Sequence, residues 1–333
     1  MNELLCLLTT VGATMTMTCN PKPAPTPIPT VTVTATPSPL VCPACPSPTP
    51  TASPFVRAMW VSDAGATVAS AATGSSTRST FFSNLAAKGI NRVFIECSGL
   101  LAANRAQLKD FVVDARNHGV ETEFLLNGYV SGYTVATAFD RMVTYAGHIK
   151  SYQAAYCPTG SESACPVAMH IDLEPHLYPE WKTALAATQN AYLSGIKRLK
   201  TALGSVKLSA DVTNWYDGSG YNVNGASFSK QIFDAGVDRM VLMNYTDSFT
   251  QMQARAVGEV DLACQLGKEV ISGSDAMKEG TDAASMALTF FEEGYSTANG
   301  MNAGFASLKN YFAAKPCFKG VAGFDYDDVI VLK

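Results

Sequence analysis

Charge is scarce in this chain. Only 16% of its 333 residues are Asp, Glu, Lys or Arg, and the formal net charge is −4. A protein that neutralises nucleic-acid phosphates needs a basic face or run, and no long Lys/Arg run occurs here, so nucleic acid is not expected as a partner. Neither GxGxxG nor GxxxxGK[ST] is present, which argues against a dinucleotide site or a phosphate-cradling loop. Histidine occurs at four positions, His118, His148, His170 and His176, little material for a metal centre. The apolar stretch from Leu4 to Met17 is shorter than the roughly 20 residues of a helical membrane span.

What the N-terminus does have is threonine and proline. Leu4 to Met17 reads as the hydrophobic part of an export signal, although Asn2 and Glu3 stand where such a signal is usually positive. Thr16-Met17-Thr18-Cys19 is a loose version of a lipoprotein cleavage site, which would place lipid on Cys19. Residues 21–54 are Pro, Thr, Ser and Val with almost no charge. Proline at that density blocks helix and sheet and favours an extended, disordered spacer. The expected organisation is a signal-like or lipoprotein-like segment at 1–20, a Pro/Thr/Ser-rich linker at 21–54 and one folded domain at 55–333. An extracellular or envelope-attached monomer follows, with the N-terminus as a lipid or envelope tether.

Nine cysteines suit an exported protein. Cys157 and Cys165 bracket a short polar loop and are expected to pair, as are Cys264 and Cys317. Cys97, in an apolar strand, is expected as a buried thiol, and the lone Cys42-Pro43-Ala44-Cys45 as a local or intermolecular disulfide.

Residues 55–333 alternate short apolar runs with helical patterns. Eight strands are expected, at Arg57–Asp63, Arg92–Ser98, Glu121–Tyr129, Val167–Glu174, Lys207–Trp215, Arg239–Asp247, Glu269–Asp275 and Gly320–Asp327. The intervening helices are expected at Ser79–Lys88, Asn104–His118, Tyr133–Ala155, Trp181–Leu203, Ser229–Ala235, Phe249–Leu266, Ala283–Glu293 and Phe305–Ala314. The cadence of glycine, polar residue and apolar strand, as in Gly89-Ile90-Asn91-Arg92-Val93, belongs to parallel α/β units. Eight of them in a length near the roughly 250 residues of a barrel predict a (β/α)8 TIM barrel.

The strand at Val167–Glu174 carries the chemistry. Side chains alternate across a strand, so Met169, Ile171 and Leu173 share one face while His170, Asp172 and Glu174 share the other. Ionisable groups in such a strand are either paired or functional, and Pro175 should end it. Barrel active sites gather at C-terminal strand ends, where the chain offers Trp60, Asp63, Glu96, Asn127, Asp211, Trp215, Asn244, Tyr245, Asp275, Asp325 and Tyr326. Carboxylates with Trp and Tyr suit a sugar site: aromatic faces pack on pyranose rings and carboxyls do acid–base work.

Asp172-x-Glu174 followed by Met243-Asn244-Tyr245 resembles the motifs of family 18 chitinase-type barrels. Those carry DxxDxDxE, where this chain has Val167 and His170 in place of the first two aspartates, and Thr246 follows Tyr245. Leu173-Glu174-Pro175 also resembles the Asn-Glu-Pro of the large retaining glycosidase clan. The resemblance implies Glu174 as general acid, with Asp172 and Tyr245 holding a substrate acetamido group. From the residues themselves, Glu174 is the proton donor and the second carboxylate is Asp172, Asp275 or Asp325. The expected contacts to a polysaccharide or glycoconjugate are Trp60, Asp63, Glu96, Asn127, His170, Asp211, Trp215, Asn244, Asp325 and Tyr326. No cofactor is expected. Two other functions fit the same residues: a glycan-binding barrel without turnover, and a metal-dependent hydrolase using His170, Asp172 and His176.

Overall fold

The computed structural model describes residues 55–62, 64–128, 132–158, 162–278, 280 and 282–333, together with the backbone of 4–11 and 14–21. Those two N-terminal stretches pair as an antiparallel ribbon, Leu4–Val11 with Thr14–Pro21. The expectations for the Cys19 side chain, the linker, Cys42, Cys45, Asp63 and Tyr129 fall outside the described residues.

Eight strands close into a barrel: β1 Val56–Val61, β2 Arg92–Glu96, β3 Glu121–Asn127, β4 Ala168–Asp172, β5 Leu208–Thr213, β6 Arg239–Met243, β7 Glu269–Asp275 and β8 Phe318–Phe324. Each pairs in parallel with its sequence neighbours, and β8 closes the ring on β1. The chain is a (β/α)8 TIM barrel. All eight expected strands are present, but several stop two to four residues early, because their polar C-terminal ends leave the sheet to form the mouth. The expected helix at Ala283–Glu293 is reduced to Ala283–Met286, and the one at Trp181–Leu203 is split into Pro179–Thr183 and Leu185–Leu203.

The helices start where side chains satisfy their first backbone amides. Ser75, Thr134, Ser227 and Ser248 each accept from an amide three residues on. Helix Phe249–Leu266 ends on Gly267 in the left-handed region, which glycine adopts without a Cβ clash. Disulfides link Cys157 to Cys165 and Cys264 to Cys317, as expected, and Cys97 is a buried free thiol. No described helix is long and apolar enough to cross a membrane.

Alternation along the strands divides the apolar residues. Met169, Ile171 and Leu173 face the helices, while Val56, Ala58, Trp60, Phe94, Leu125, Val241, Ile271 and Ala322 fill the barrel. Below that plug, at the N-terminal end, lies an ionic layer. Arg92 bonds Glu121 (Nε–Oε2 3.1 Å) and Glu123 (Nη1–Oε1 3.2 Å). Arg239 bonds Glu269 (Nε–Oε2 3.0 Å) and also reaches Glu123. Glu123 thus sits between two guanidiniums on the barrel axis.

Candidate active site

The ionic layer continues upward through His170. Its Nδ1 lies 3.3 Å from Glu123 Oε2 and its Nε2 lies 3.0 Å from Asp211 Oδ1. Trp60 Nε1 donates to the other Asp211 oxygen at 3.1 Å. The indole reaches that depth because Gly273 has no side chain: a Cβ there would come within 2.5 Å of the Trp60 ring. Burial alone would lower the His170 pKa, but Asp211 and Glu123 raise it to about 9. Burial would raise that of Glu123, yet Arg239, His170 and Arg92 hold it below the usual carboxylate range. His170 is therefore a buried imidazolium between two carboxylates. That arrangement removes it from the surface of the cleft, against its expected roles as a sugar contact or metal ligand, because the ring is fully buried and each nitrogen lies within 3.3 Å of a carboxylate oxygen.

Asp172 ends β4, half-buried above this column. Burial, then the charges of Asp211 and Glu174, push its carboxyl well above the usual range, with His170 opposing. Glu174 follows where Pro175 starts a one-turn helix, Pro175–Leu177. Proline cannot continue the ladder, so β4 stops and Glu174 turns into the cleft, with its side chain 23% exposed. The close approach of β3 fixes this turn. Gly128 N donates to Asp172 O at 2.7 Å, and a Cβ on Gly128 would lie 2.6 Å from the Leu173 side chain. Burial, then the Asp211 charge, raises the Glu174 pKa to about 7. A carboxyl poised there can hold a proton and give it up near neutral pH.

The cleft above Glu174 has a volume of about 770 Å³, and His176, Trp215, Tyr221, Tyr245, Arg255 and Leu288 are among its walls. Trp215 and Tyr221 lie 4.6 Å apart, ring centre to ring centre, and form a continuous aromatic wall. Tyr245 stacks on Phe324. Burial keeps its phenol protonated by raising its pKa well above the ordinary value, so it can donate a hydrogen bond.

Not every expected contact faces this cleft. Trp60 is 2% exposed and belongs to the barrel core. Asp211 is pinned by Trp60 and His170. Asn244 is fully buried and donates to Met252 O (2.7 Å) and Ser272 Oγ (3.2 Å), fastening helix Phe249–Leu266 to β7. Tyr326 is buried and accepts from Asn84 Nδ2 at 3.0 Å. Asp275 Oδ1 accepts from Met277 N at 2.8 Å, Asp325 Oδ1 from Ser62 N at 3.4 Å and Glu96 Oε1 from Ser98 N at 3.1 Å. These three carboxylates hold loops at the mouth. Asn127 ends β3 on the exposed rim. Tyr216, Tyr221 and Arg255 were not expected. Tyr216 had a signal, since it follows Trp215 at a strand end, whereas Arg255 lies mid-helix with nothing in its neighbourhood to mark it. Among the described residues, no three His, Cys, Asp or Glu side chains converge to hold a metal.

No family model matches the chain, and no curated protein matches it. Solved structures do. A family 18 chitinase from Pseudoalteromonas aurantia superposes with a TM-score of 0.50 at 9% identity, over 81% of this chain and 93% of its own. An intracellular xylanase from Thermoanaerobacterium saccharolyticum gives 0.50 at 12% identity, over 84% of this chain and 88% of its own. At such identities the likeness concerns the fold alone, a closed eight-stranded (β/α)8 barrel.

Proposed function

We propose that the chain is a glycoside hydrolase acting on a polysaccharide or glycoconjugate, with Glu174 as general acid/base and Asp172 as its partner carboxyl. The observation that carries this is Glu174 itself: a carboxyl with its pKa raised to about 7 at the end of β4, opening on an aromatic-walled cleft. The proton on Glu174 passes to the glycosidic oxygen as the C–O bond breaks. Asp172 lies two residues back on the same inward face, where a carboxylate can steady the sugar cation or a neighbouring substituent. Tyr245 supplies a donor from the facing wall. Trp215 and Tyr221 offer apolar faces for pyranose rings, replacing the expected pair Trp60 and Trp215. Two disulfides support an oxidising, extracytoplasmic setting.

A binding barrel without turnover is the second reading. It is favoured by Asp275 and Asp325, which are at most 8% exposed and bonded to backbone amides at the mouth, so that of the three expected second carboxylates only Asp172 is left to act with Glu174. Reducing-end release from a polysaccharide panel separates the two. The parent should cleave at least one glycan, and Glu174→Gln should lose about 10²–10⁴-fold in rate while keeping its fold. Glycan retention without cleavage by the parent would overturn the hydrolase reading.

A further inference from the structure

Glu174 has a second neighbour that the reaction above leaves unused. His176 lies in the turn that Pro175 begins, and its Nε2 is 3.4 Å from Glu174 Oε2. On the ring's other side, Nδ1 is 3.0 Å from the Tyr216 hydroxyl. Trp215 packs edge-on against the same imidazole, 5.3 Å between centres, which limits rotation of the ring. Tyr216 is 1% exposed, and burial raises its pKa well above the ordinary value, so the phenol keeps its proton. Burial lowers the pKa of His176, which favours the neutral imidazole. A neutral imidazole has one donor and one acceptor. If the Tyr216 hydroxyl donates to Nδ1, the ring proton must sit on Nε2, facing Glu174.

We propose that His176 is a positioning residue for Glu174: Tyr216 fixes the imidazole tautomer, and the Nε2–H holds carboxyl oxygen Oε2, leaving Oε1 to carry the transferable proton. The proposal rests on the acid/base role of Glu174. In the first half of the reaction the Oε1 proton goes to the glycosidic oxygen, and the electron pair of the breaking C–O bond stays on that oxygen. The carboxylate left behind is stabilised by the Nε2–H, which His176 retains throughout. In the second half, water gives a proton back to Oε1 as its oxygen bonds the sugar carbon. A contact of 3.4 Å in the free protein is of the kind that tightens when substrate closes the site.

The groups that bear on Glu174 from neighbouring elements are Asp172 of β4, Asp211 of β5, Tyr192 of helix Leu185–Leu203, Tyr245 after β6, and Tyr216 beyond β5. Arg255 and Asp217 line the same cleft. Asp172 and Asp211 disfavour the Glu174 carboxylate, and the Nε2–H opposes them by bonding the charged form. Its removal therefore raises the Glu174 pKa further.

The test is a carboxyl ¹³C and imidazole ¹⁵N NMR titration of the full chain, with the Glu174 signal assigned by its absence in Glu174→Gln. The parent should show the Nε2–H tautomer at His176. His176→Leu should raise the Glu174 midpoint by about one pH unit. His176→Gln, which keeps a donor near the Nε2 position, should restore it. Tyr216→Phe keeps the ring and removes only the hydroxyl, so it should fold even if His176→Leu does not, and it should mix the tautomers and raise the midpoint by less. A Nδ1–H tautomer in the parent, or an unchanged midpoint in Tyr216→Phe and in folded His176→Leu, would overturn the proposal. In the same variants, the basic limb of kcat/KM on any glycan the parent cleaves should move up with the midpoint. The titration needs no turnover, so a parent that cleaves nothing sinks the hydrolase reading while the NMR still decides the role of His176.

Discussion

The behaviour of Glu174 with pH follows from what surrounds it. Its folded-state pKa of about 7 lies above the ordinary 4.5, so the native protein binds this proton more tightly than the unfolded chain does. The stability that proton contributes is fully present below pH 4.5 and is lost as pH rises through 7. Replacing Glu174 by Gln removes the titration, so the variant should be the more stable protein at alkaline pH, by about 1–3 kcal/mol, with the difference vanishing in mild acid. Thermal melts of parent and variant across that range check this; a variant less stable at high pH would contradict the burial of the carboxyl. Under the proposed role for Glu174, activity should fall over the same interval, because a general acid must enter the reaction protonated.

Elements, more than single residues, decided what could be read from the chain. The strands were legible because each is a short apolar run after a glycine or polar pair, and because Met169, Ile171 and Leu173 alternate cleanly with His170 and Asp172. The mouth was legible only as a set of strand ends, which merges residues at different depths. Trp60 lies one pleat below Ser62 and belongs to the core. Asn244 is out of phase with Val241 and Met243, so alternation already points it outward, and its hydrogen bonds to Met252 and Ser272 follow. Tyr221 and Arg255 come from a loop and a helix whose approach to the cleft no local pattern encodes. The fit of β1 against β7 gives a direct check at this scale. Gly273→Val would drive a side chain into the Trp60 ring, with the Leu242 carbonyl oxygen 2.9 Å from the new Cβ. We expect a loss of about 1–3 kcal/mol in urea unfolding and a changed tryptophan near-ultraviolet signal. An unaltered midpoint would mean that β7 has room to shift.

For the whole molecule, stability is tied to the ionised column along the barrel axis. Glu123 lies between Arg92, Arg239 and His170, fully buried. Removing one member of such a group leaves the others charged and unmatched, so Glu123→Gln should cost about 3–5 kcal/mol, read as a lower denaturation midpoint. His170, raised from 6.5 to about 9, contributes stability that is fully present below pH 6.5 and is lost as pH rises through 9. Together with Glu174 it should make the parent protein markedly less heat-stable at pH 9 than at pH 6, as scanning calorimetry would show. A flat profile would mean that His170 is neutral in the fold.

The column alternates in sign, with guanidinium, carboxylate, imidazolium and carboxylate stacked from the base of the barrel to just beneath Asp172. Such a stack constrains how the protein can change over generations. A neutral replacement at any rung leaves a surplus on the next, so substitutions there should survive only as matched pairs of opposite charge. The mouth, by contrast, can exchange its aromatic walls one residue at a time. The axis should therefore tolerate change slowly, and the rim above it more freely.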